Sequence, residues 1–355
     1  MSKTIKRILI AVAIILGVLI LGFAALLAYL TATEYNPSGT QPLAFTGNGV
    51  KTLSAGDTLT VLTWNIGYGS LDKDHDFFMD GGTDVNTESA DNIRRNMEGI
   101  ADVVERTAAD VSFLQEVDVA SKRSYYIDET EILRSVFDND NEAFATNFLC
   151  KYIPYPLPTI GPVNGGILTL NTLQAASADR VALPTSYTWP VRMCQLKRCL
   201  LVERVPITGT DKELVLVNLH LEAYDDGSGK LAQTKVLLDF LQKEYNKGNY
   251  CIAGGDFNQT FDNIDPSLYP VRDTSYFAAG VISSDVLPAG WQFANDASFP
   301  TCRLLNEAYQ PETAQLYVID GFIISPNVIL QSTQTLDKGF VYSDHNPVLL
   351  TVTLN

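Results

Sequence analysis

Short apolar runs, each flanked by polar residues, recur from residue 58 to the end of the chain. In the first, "TLTVLTWNI", both alternating sets of residues are largely apolar, which indicates a strand in a sheet covered on both faces. Similar runs are "DVSFLQE", "GGILTL", "CLLVERVPI", "ELVLVNLHL", "YCIAGGDF", "LYVIDGFII" and "PVLLTVTL". The pattern predicts many short β-strands separated by turns.

Two stretches have helical periodicity instead. Between residues 89 and 108 apolar residues recur at three- and four-residue intervals, and residues 231–245 form a second amphipathic pattern that Gly248 can stop. Strands outnumber helices, and the sequence has no long regular alternation of strand and helix. These features favour an α/β fold of two packed sheets with helices outside, rather than a doubly wound parallel sheet.

The first thirty residues differ from the rest. Residues 1–7 carry three basic side chains and precede an uncharged apolar stretch, Ile8 to Leu30, long enough to cross a bilayer core of about 30 Å. A signal peptide is the alternative, but its apolar region usually has about 7 to 15 residues, and the best cleavage site here is poor. We expect residues 1–30 to be a cytoplasmic stub and transmembrane anchor, with the remaining chain outside the membrane.

Residues 31–57 are rich in Gly, Pro, Ser and Thr and have no sustained period, so they are predicted to form a linker. One folded domain is then expected over residues 58–355. The chain has 355 residues, of which 46% are hydrophobic and 19% charged, an ordinary composition for one large globular unit. A sizeable core is therefore available.

The charge balance bears on the choice of partner. The chain has 41 acidic residues against 25 basic ones, which serves nonspecific nucleic-acid binding poorly. A negative surface that keeps an exported protein soluble explains the same balance, so a nuclease is disfavoured without being excluded. Five cysteines have no paired spacing for zinc, and they leave open either a Cys194–Cys199 disulfide or unpaired buried thiols.

Side chains suited to metal or acid–base chemistry lie at the ends of the predicted strands. They are Asn65, Glu116, His220, Asp256, Asn258, Asp320, Asp344 and His345. Any one of them alone is typical of a cap or a loop, but the strands of a sandwich deliver their end residues to a common edge. Carboxylates clustered there need a cation or a proton to offset their repulsion. Oxygen ligands of this kind suit Mg²⁺ or Mn²⁺ better than zinc.

Six motifs carry a family resemblance. "TWNIG", "FLQE", "NLHLE", "GGDFN", "VID" and "SDHNPV" occur in the order and rough spacing of the endonuclease/exonuclease/phosphatase superfamily. From about residue 58 to the end, the chain resembles this superfamily, which includes bacterial sphingomyelinases, inositol polyphosphate 5-phosphatases and pancreatic deoxyribonuclease. The resemblance implies a four-layer α/β/β/α sandwich of two mainly antiparallel sheets, and hydrolysis of phosphate esters with Mg²⁺ or Mn²⁺.

The resemblance also implies a role for each candidate residue. The implied metal ligands are Asn65, Glu116 and Asp344. Asp256 would orient and deprotonate the attacking water, and Asn258 would donate its amide to the phosphate. His220 and His345 would hold the non-bridging phosphate oxygens, while Asp320 keeps one imidazole oriented and protonated.

Two departures from the superfamily pattern weaken a nuclease interpretation more than they weaken hydrolysis. Gly321 follows Asp320 where relatives often have an aromatic residue, and the tyrosine that related nucleases bring to the phosphate has no motif here. Asn147 and Asn164 are only weak substitutes for it. Residues 74–82 and 147–166 are aromatic-rich loops that either shape a substrate pocket or pack on the surface.

We therefore expect a single-pass membrane protein with an extracytoplasmic phosphodiesterase or phosphatase domain. Its substrate would be a phosphate ester of small or lipid type, and its membrane contact would be the N-terminal helix. A surface nuclease is the alternative enzyme, and a binding module that lost catalysis is the alternative of another class. Loss of catalysis should have removed Glu116, His220, Asp256 or His345, and all four are present, which argues against loss of activity.

Overall fold

A computed structural model describes residues 2–46, 49–136 and 141–355. Its α-helices are α1 (Lys3–Ala32), α2 (Ala90–Thr107), α3 (Glu129–Arg134) and α4 (Ser228–Tyr245). Its strands are β1 (Thr40–Leu43), β2 (Phe45–Thr46), β3 (Thr58–Asn65), β4 (Val111–Asp118), β5 (Asn141–Ile153), β6 (Gly161–Asn171), β7 (Ser177–Ala182), β8 (Cys199–Pro206), β9 (Glu213–His220), β10 (Tyr250–Asp256), β11 (Gln259–Phe261), β12 (Gly280–Ile282), β13 (Gln292–Ala294), β14 (Cys302–Arg303), β15 (Leu316–Tyr317), β16 (Asp320–Ile324), β17 (Val328–Thr335) and β18 (Val348–Leu354).

Most of these strands belong to two large sheets. In the part of the chain that the structure describes, one sheet has the order β1-β7-β8-β9-β10-β16-β13, and the other has the order β17-β18-β3-β4-β6-β5-β2. Within these sheets, neighbours are antiparallel except for the central pairs β9–β10 and β3–β4. The predicted two mainly antiparallel sheets are confirmed.

An apolar core lies between the sheets, and helices cover their outer faces. The inner core includes Val61, Phe113, Leu216 and Ile252, all fully buried. On one outer face Met97 of α2 packs in a cluster with Trp64, and on the other Leu237 of α4 is buried against the second sheet. The helix α2 begins where the Ser89 hydroxyl accepts a hydrogen bond from the Asn92 N–H. The four-layer α/β/β/α sandwich is therefore confirmed.

The N-terminal helix α1 is long and apolar enough to cross a membrane. The residues after it differ from the predicted linker 31–57, and that prediction needs correction. Strand β1 pairs with β7 at the edge of one sheet, and β2 pairs with β5 at the edge of the other. These short edge strands are held by backbone hydrogen bonds and do not need alternating apolar side chains. Their polar, Pro-containing sequence therefore has no apolar pattern from which a strand could be predicted.

The cysteines are free in the structure. The sequence left open a Cys194–Cys199 disulfide or unpaired thiols, and the structure has unpaired thiols. Cys199 is buried in β8, and Cys194 is partly buried. The nearest thiol to Cys194 belongs instead to Cys150, with the two Sγ atoms 3.8 Å apart.

Glu203 on β8 carries a carboxyl group buried between the sheets. Asn171 Nδ2 donates a hydrogen bond to Glu203 Oε2 at 2.5 Å. Burial raises the pKa of Glu203 from its ordinary value of 4.5 to about 8. The folded state therefore keeps a proton that the unfolded chain releases between these two values. Stability should fall as pH rises through this window, by up to about 1.4 kcal/mol per pH unit.

We expect Glu203→Gln to flatten this part of the pH dependence, because the amide stays neutral at every pH. Chemical denaturation of the full chain in detergent at pH 5 and pH 8 measures the effect. The variant should lose less unfolding free energy than the wild type between these pH values, by on the order of 3 kcal/mol. Equal losses in the two proteins would show that Glu203 is not protonated in the fold.

Candidate active site

The carboxyl ends of β3, β4, β9 and β10 bring the predicted polar residues together. Strands β3 and β4 of one sheet pack against β10 of the other, and each pair of central strands is parallel, so their ends meet at one edge of the sandwich. Asn65 ends β3, Glu116 lies near the end of β4, and Asp256 ends β10. In the strand register, Asp256 lies between His220 on β9 and Asp320 on β16.

The buried Asp256 carboxylate is at the centre of this group. Asn65 Nδ2 donates to Asp256 Oδ2 at 3.0 Å. The Nε2 atoms of His220 and His345 lie 3.4 Å and 3.8 Å from the same oxygen. Burial, together with the negative charge of Asp320, raises the pKa of Asp256 to about 6. A carboxylate with this pKa is suited to accept a proton from water near neutral pH.

The two histidines prefer opposite charge states. His345 Nδ1 donates a hydrogen bond to Asp320 Oδ2 at 2.8 Å. Burial by itself would lower the pKa of His345, but the charge and hydrogen bond of Asp320, together with Cys302 and Asp344, outweigh it and hold the pKa well above its ordinary value. Burial lowers the pKa of His220 well below its ordinary value, and the neighbouring Arg198 charge adds to this effect. The site thus presents a cationic imidazole beside a neutral one.

Glu116 and Asp344 form the acidic side of the site. Glu116 lies in a bulge of β4, where the pairing with β6 shifts register and its own φ is 55°. Burial raises the pKa of Asp344 to about 7, and the negative charge of Glu116 adds to the rise. The Asp344 carboxylate also lies in a group with Cys302 and His345 whose potential ligand atoms are within 4.8 Å of one another. Mutually repelling carboxylates of this kind fit a divalent cation with oxygen ligands.

Two predicted residues use their amide groups inside the protein. Asn65 Oδ1 accepts from the Gly67 N–H at 3.1 Å, while Asn65 Nδ2 points toward the carboxylates. Asn258 Nδ2 donates to the Leu221 carbonyl at 3.0 Å, and the Asn258 N–H holds the second Asp256 oxygen at 2.8 Å. Both side chains are therefore fixed beside the carboxylates. Their roles as metal ligand and phosphate donor stay predictions.

The site opens into a cavity of about 870 Å³. The candidate residues that line it are Asn65, Glu116, His220, Asp256, Asn258, Asp344 and His345. Asp320 does not line the cavity and reaches it through its hydrogen bond to His345. Of the two asparagines considered in place of a tyrosine, Asn147 lines the cavity and Asn164 does not. Tyr68 and Tyr224, which no motif indicated, do line it.

Three arginines that were not predicted also line the cavity: Arg198 and Arg303 are buried, and Arg123 is partly buried. Arg123 donates two hydrogen bonds of 2.9 Å to Asp118, and its guanidinium lies 3.7 Å from the centre of the Tyr68 ring. Arg198 Nε and Nη1 have no hydrogen-bond partner among the residues that the structure describes. Arg198 precedes its apolar strand and Arg123 lies in a loop, so a search for polar residues after strands could not find them.

Comparisons with known proteins bear on the family and the fold. A family model described as "Endonuclease/Exonuclease/phosphatase family" matches residues 62–345. An endonuclease/exonuclease/phosphatase structure from Beutenbergia cavernae DSM 12333 is similar with a TM-score of 0.56 at 18% identity, covering 84% of this chain and 72% of that one. The endonuclease/exonuclease/phosphatase structure from Bacteroides vulgatus has a TM-score of 0.51 at 15% identity, covering 84% of this chain and 100% of that one. The structure of D. rerio TDP2 complexed with single strand DNA product has a TM-score of 0.51 at 18% identity, covering 84% of this chain and 99% of that one. None of the curated proteins compared with this chain matches it.

We expect Glu116→Gln to weaken binding of a divalent cation by about tenfold or more, because an amide gives no negative charge to a hard cation. Calorimetric titration of the full chain with Mn²⁺ measures the affinity. Glu105→Gln on the exposed side of α2 is the matched control and should bind as the wild type does. Equal affinity in all three proteins would remove Glu116 from the metal site.

Proposed function

Since the chain belongs to the endonuclease/exonuclease/phosphatase family, we propose that it is a divalent-metal-dependent phosphoric ester hydrolase acting on the outer side of a membrane. The observation that carries this proposal is the buried Asp256 carboxylate, with the two imidazoles around one of its oxygens. Mg²⁺ is the expected ion, and Mn²⁺ should substitute for it. Glu116 and Asp344 would hold the ion, with Asn65 beside them.

The residues of the chain divide the chemistry between them. Asp256 would orient the attacking water and accept its proton, since its raised pKa of about 6 makes it a competent base. His345, held as a cation by Asp320, would donate a hydrogen bond to a non-bridging phosphate oxygen as negative charge builds there. His220 Nε2 lies 3.4 Å from Asp256 Oδ2, the oxygen that His345 also faces, and His220 would contact a second non-bridging oxygen of the phosphate. When bound, the metal would polarise the phosphoryl group and stabilise the leaving oxygen.

Arg198 supplies a further positive charge in this proposal. Its side chain is buried, with Nη2 3.9 Å from Glu222 Oε1, and its Nε and Nη1 have no hydrogen-bond partner among the described residues. A buried guanidinium with unpartnered N–H groups is suited to donate charge-assisted hydrogen bonds to phosphate oxygens. Arg198 would thus fill the place for which the sequence offered no tyrosine.

A surface nuclease is the second candidate. The TDP2 structure from D. rerio contains a single strand DNA product, and it shares its fold with this chain. The net charge of −16 opposes nonspecific binding of a polyanion, and much of the cavity is apolar. A small or lipid-type ester therefore fits the chain better than a nucleic acid does.

His345→Ala and Asp320→Asn should each lower kcat for bis-p-nitrophenyl phosphate by about a hundredfold or more, with a modest effect on KM, because their contacts strengthen in the transition state. The double variant should be little worse than the poorer single one, since the residues act as a pair. Steady-state kinetics with Mg²⁺ give these values. Asp262→Asn, at an exposed position, is the control. Fully multiplicative losses would contradict the pairing.

Arg198→Met should lower kcat/KM for the same substrate by about ten- to a hundredfold, because a charge-assisted hydrogen bond is lost while the length of the side chain is kept. Arg198→Lys should recover part of this loss. The exposed Arg106→Met serves as the matched control. If the methionine variant kept wild-type kinetics, Arg198 would have no contact with the phosphate.

The membrane side is tested by adding protease to intact cells. The three basic residues before the apolar span should keep the amino end in the cytoplasm, so the catalytic domain should be digested and should sediment with membranes. Immunoblotting with an antibody against the catalytic domain measures both its digestion and its sedimentation with membranes. Protection from protease would reverse the orientation, and release into the medium with a new amino terminus near Thr31 would identify a cleaved signal peptide.

A further inference from the structure

The carboxyl-terminal part of α1 forms one wall of the catalytic cavity. Phe23, Leu27 and Leu30 line the cavity together with Asp256 and His345. These three apolar residues are spaced four and three apart, so they lie on one face of the helix. The cavity therefore runs from the apolar N-terminal helix to the catalytic carboxylate.

Other apolar side chains extend this wall. They come from the two aromatic-rich segments, residues 74–82 and 147–166, and include Phe77, Phe78, Met79, Ile153, Tyr155 and Ile160. Both segments contribute to the cavity wall, but the prediction of a loop over residues 147–166 needs correction, because residues 147–153 belong to β5 and residues 161–166 to β6. Exposed aromatic residues, Tyr29 and Trp189, stand around the end of α1. Such residues are enriched where a membrane meets water, so a membrane crossed by α1 would have its surface near the cavity.

The end of α1 is held firmly against the domain. Arg192 donates two hydrogen bonds to Glu34, at 2.8 Å and 3.0 Å, and Lys197 Nζ lies 3.3 Å from the same carboxylate. Trp189 Nε1 donates to Thr31 Oγ1 at 3.1 Å. Leu30 is only 4% exposed. The apolar wall thus has a fixed position relative to the catalytic residues.

We propose that the substrate is a membrane phospholipid, with its phosphate at Asp256 and His345 and an acyl chain along the wall formed by α1. This inference rests on the proposed function. A lipid chain removes the apolar wall from water, whereas a sugar or nucleotide ester would leave it hydrated. In the reaction, the water oxygen bonds to phosphorus as the ester P–O bond breaks. One water proton passes to Asp256 and then to the leaving alcohol.

The test uses the full chain in detergent micelles with Mg²⁺ and alkyl p-nitrophenyl phosphates from methyl to hexyl. These diesters differ only in the length of the alkyl chain. If the chain lies along the wall, kcat/KM should rise about fourfold for each added methylene, because each buried methylene adds a constant transfer free energy. Leu27→Ala should lower the hexyl-to-methyl ratio about fivefold.

Leu21→Ala is the matched control, since Leu21 is 71% exposed and does not line the cavity. Leu21→Ala removes the same atoms from the same helix as Leu27→Ala does, so both variants should associate with micelles to the same extent. Its ratio of kcat/KM for the hexyl ester to kcat/KM for the methyl ester should equal that of the wild type. Equal kcat/KM values for the methyl and hexyl esters would overturn the lipid substrate and leave the hydrolase in place. An equal change of ratio in Leu21→Ala and Leu27→Ala would do the same. Absence of Mg²⁺-dependent hydrolysis of the methyl ester would overturn the proposed function, and the lipid substrate with it.

Discussion

Burial of several ionisable groups at one edge of the sandwich is the constraint on which the site depends. Asp256, Asp344 and His345 are all buried, and a charge taken out of water is costly unless a partner or a proton offsets it. The protein offsets part of the cost with Asn65, which donates to two carboxylates, and with the hydrogen bond between His345 and Asp320. The remaining negative charge on the acidic side is what a divalent cation would neutralise. The groups whose burial is costly are thus the ones to which the proposed chemistry is assigned.

The architecture could be predicted from the sequence because it depends on the spacing of apolar residues and on the order of the motifs. The α2 region was predicted at 89–108, and the helix runs from Ala90 to Thr107. The shared edge of the strands followed from the sandwich itself, since strand ends such as Asn65 and Asp256 must meet there. These features depend on local patterns, and local patterns are visible in one sequence.

Features that depend on distant contacts could not be predicted. Arg198 looks like any basic residue before a strand, and only the folded structure shows that its guanidinium faces the cavity. The strands β1 and β2 have no apolar alternation, because edge strands are held by backbone hydrogen bonds to β7 and β5. The contact between α1 and the domain likewise joins residues far apart in the sequence, such as Leu30 and Met193, and no local pattern reports it.

The docking of α1 has a consequence for biosynthesis. The helix α1 precedes its partners in the chain, because Arg192, Lys197 and the strands β5 and β7 are made later, so in the proposed membrane-anchored protein it would enter the bilayer before they exist. The edge strands that follow the helix can pair only after β5 and β7 have been made, so the docking of α1 cannot be complete before then. The cavity is therefore complete only in molecules whose domain has folded beside the helix. A domain released by proteolysis would keep its carboxylates and imidazoles, yet it would lack one side of its substrate site.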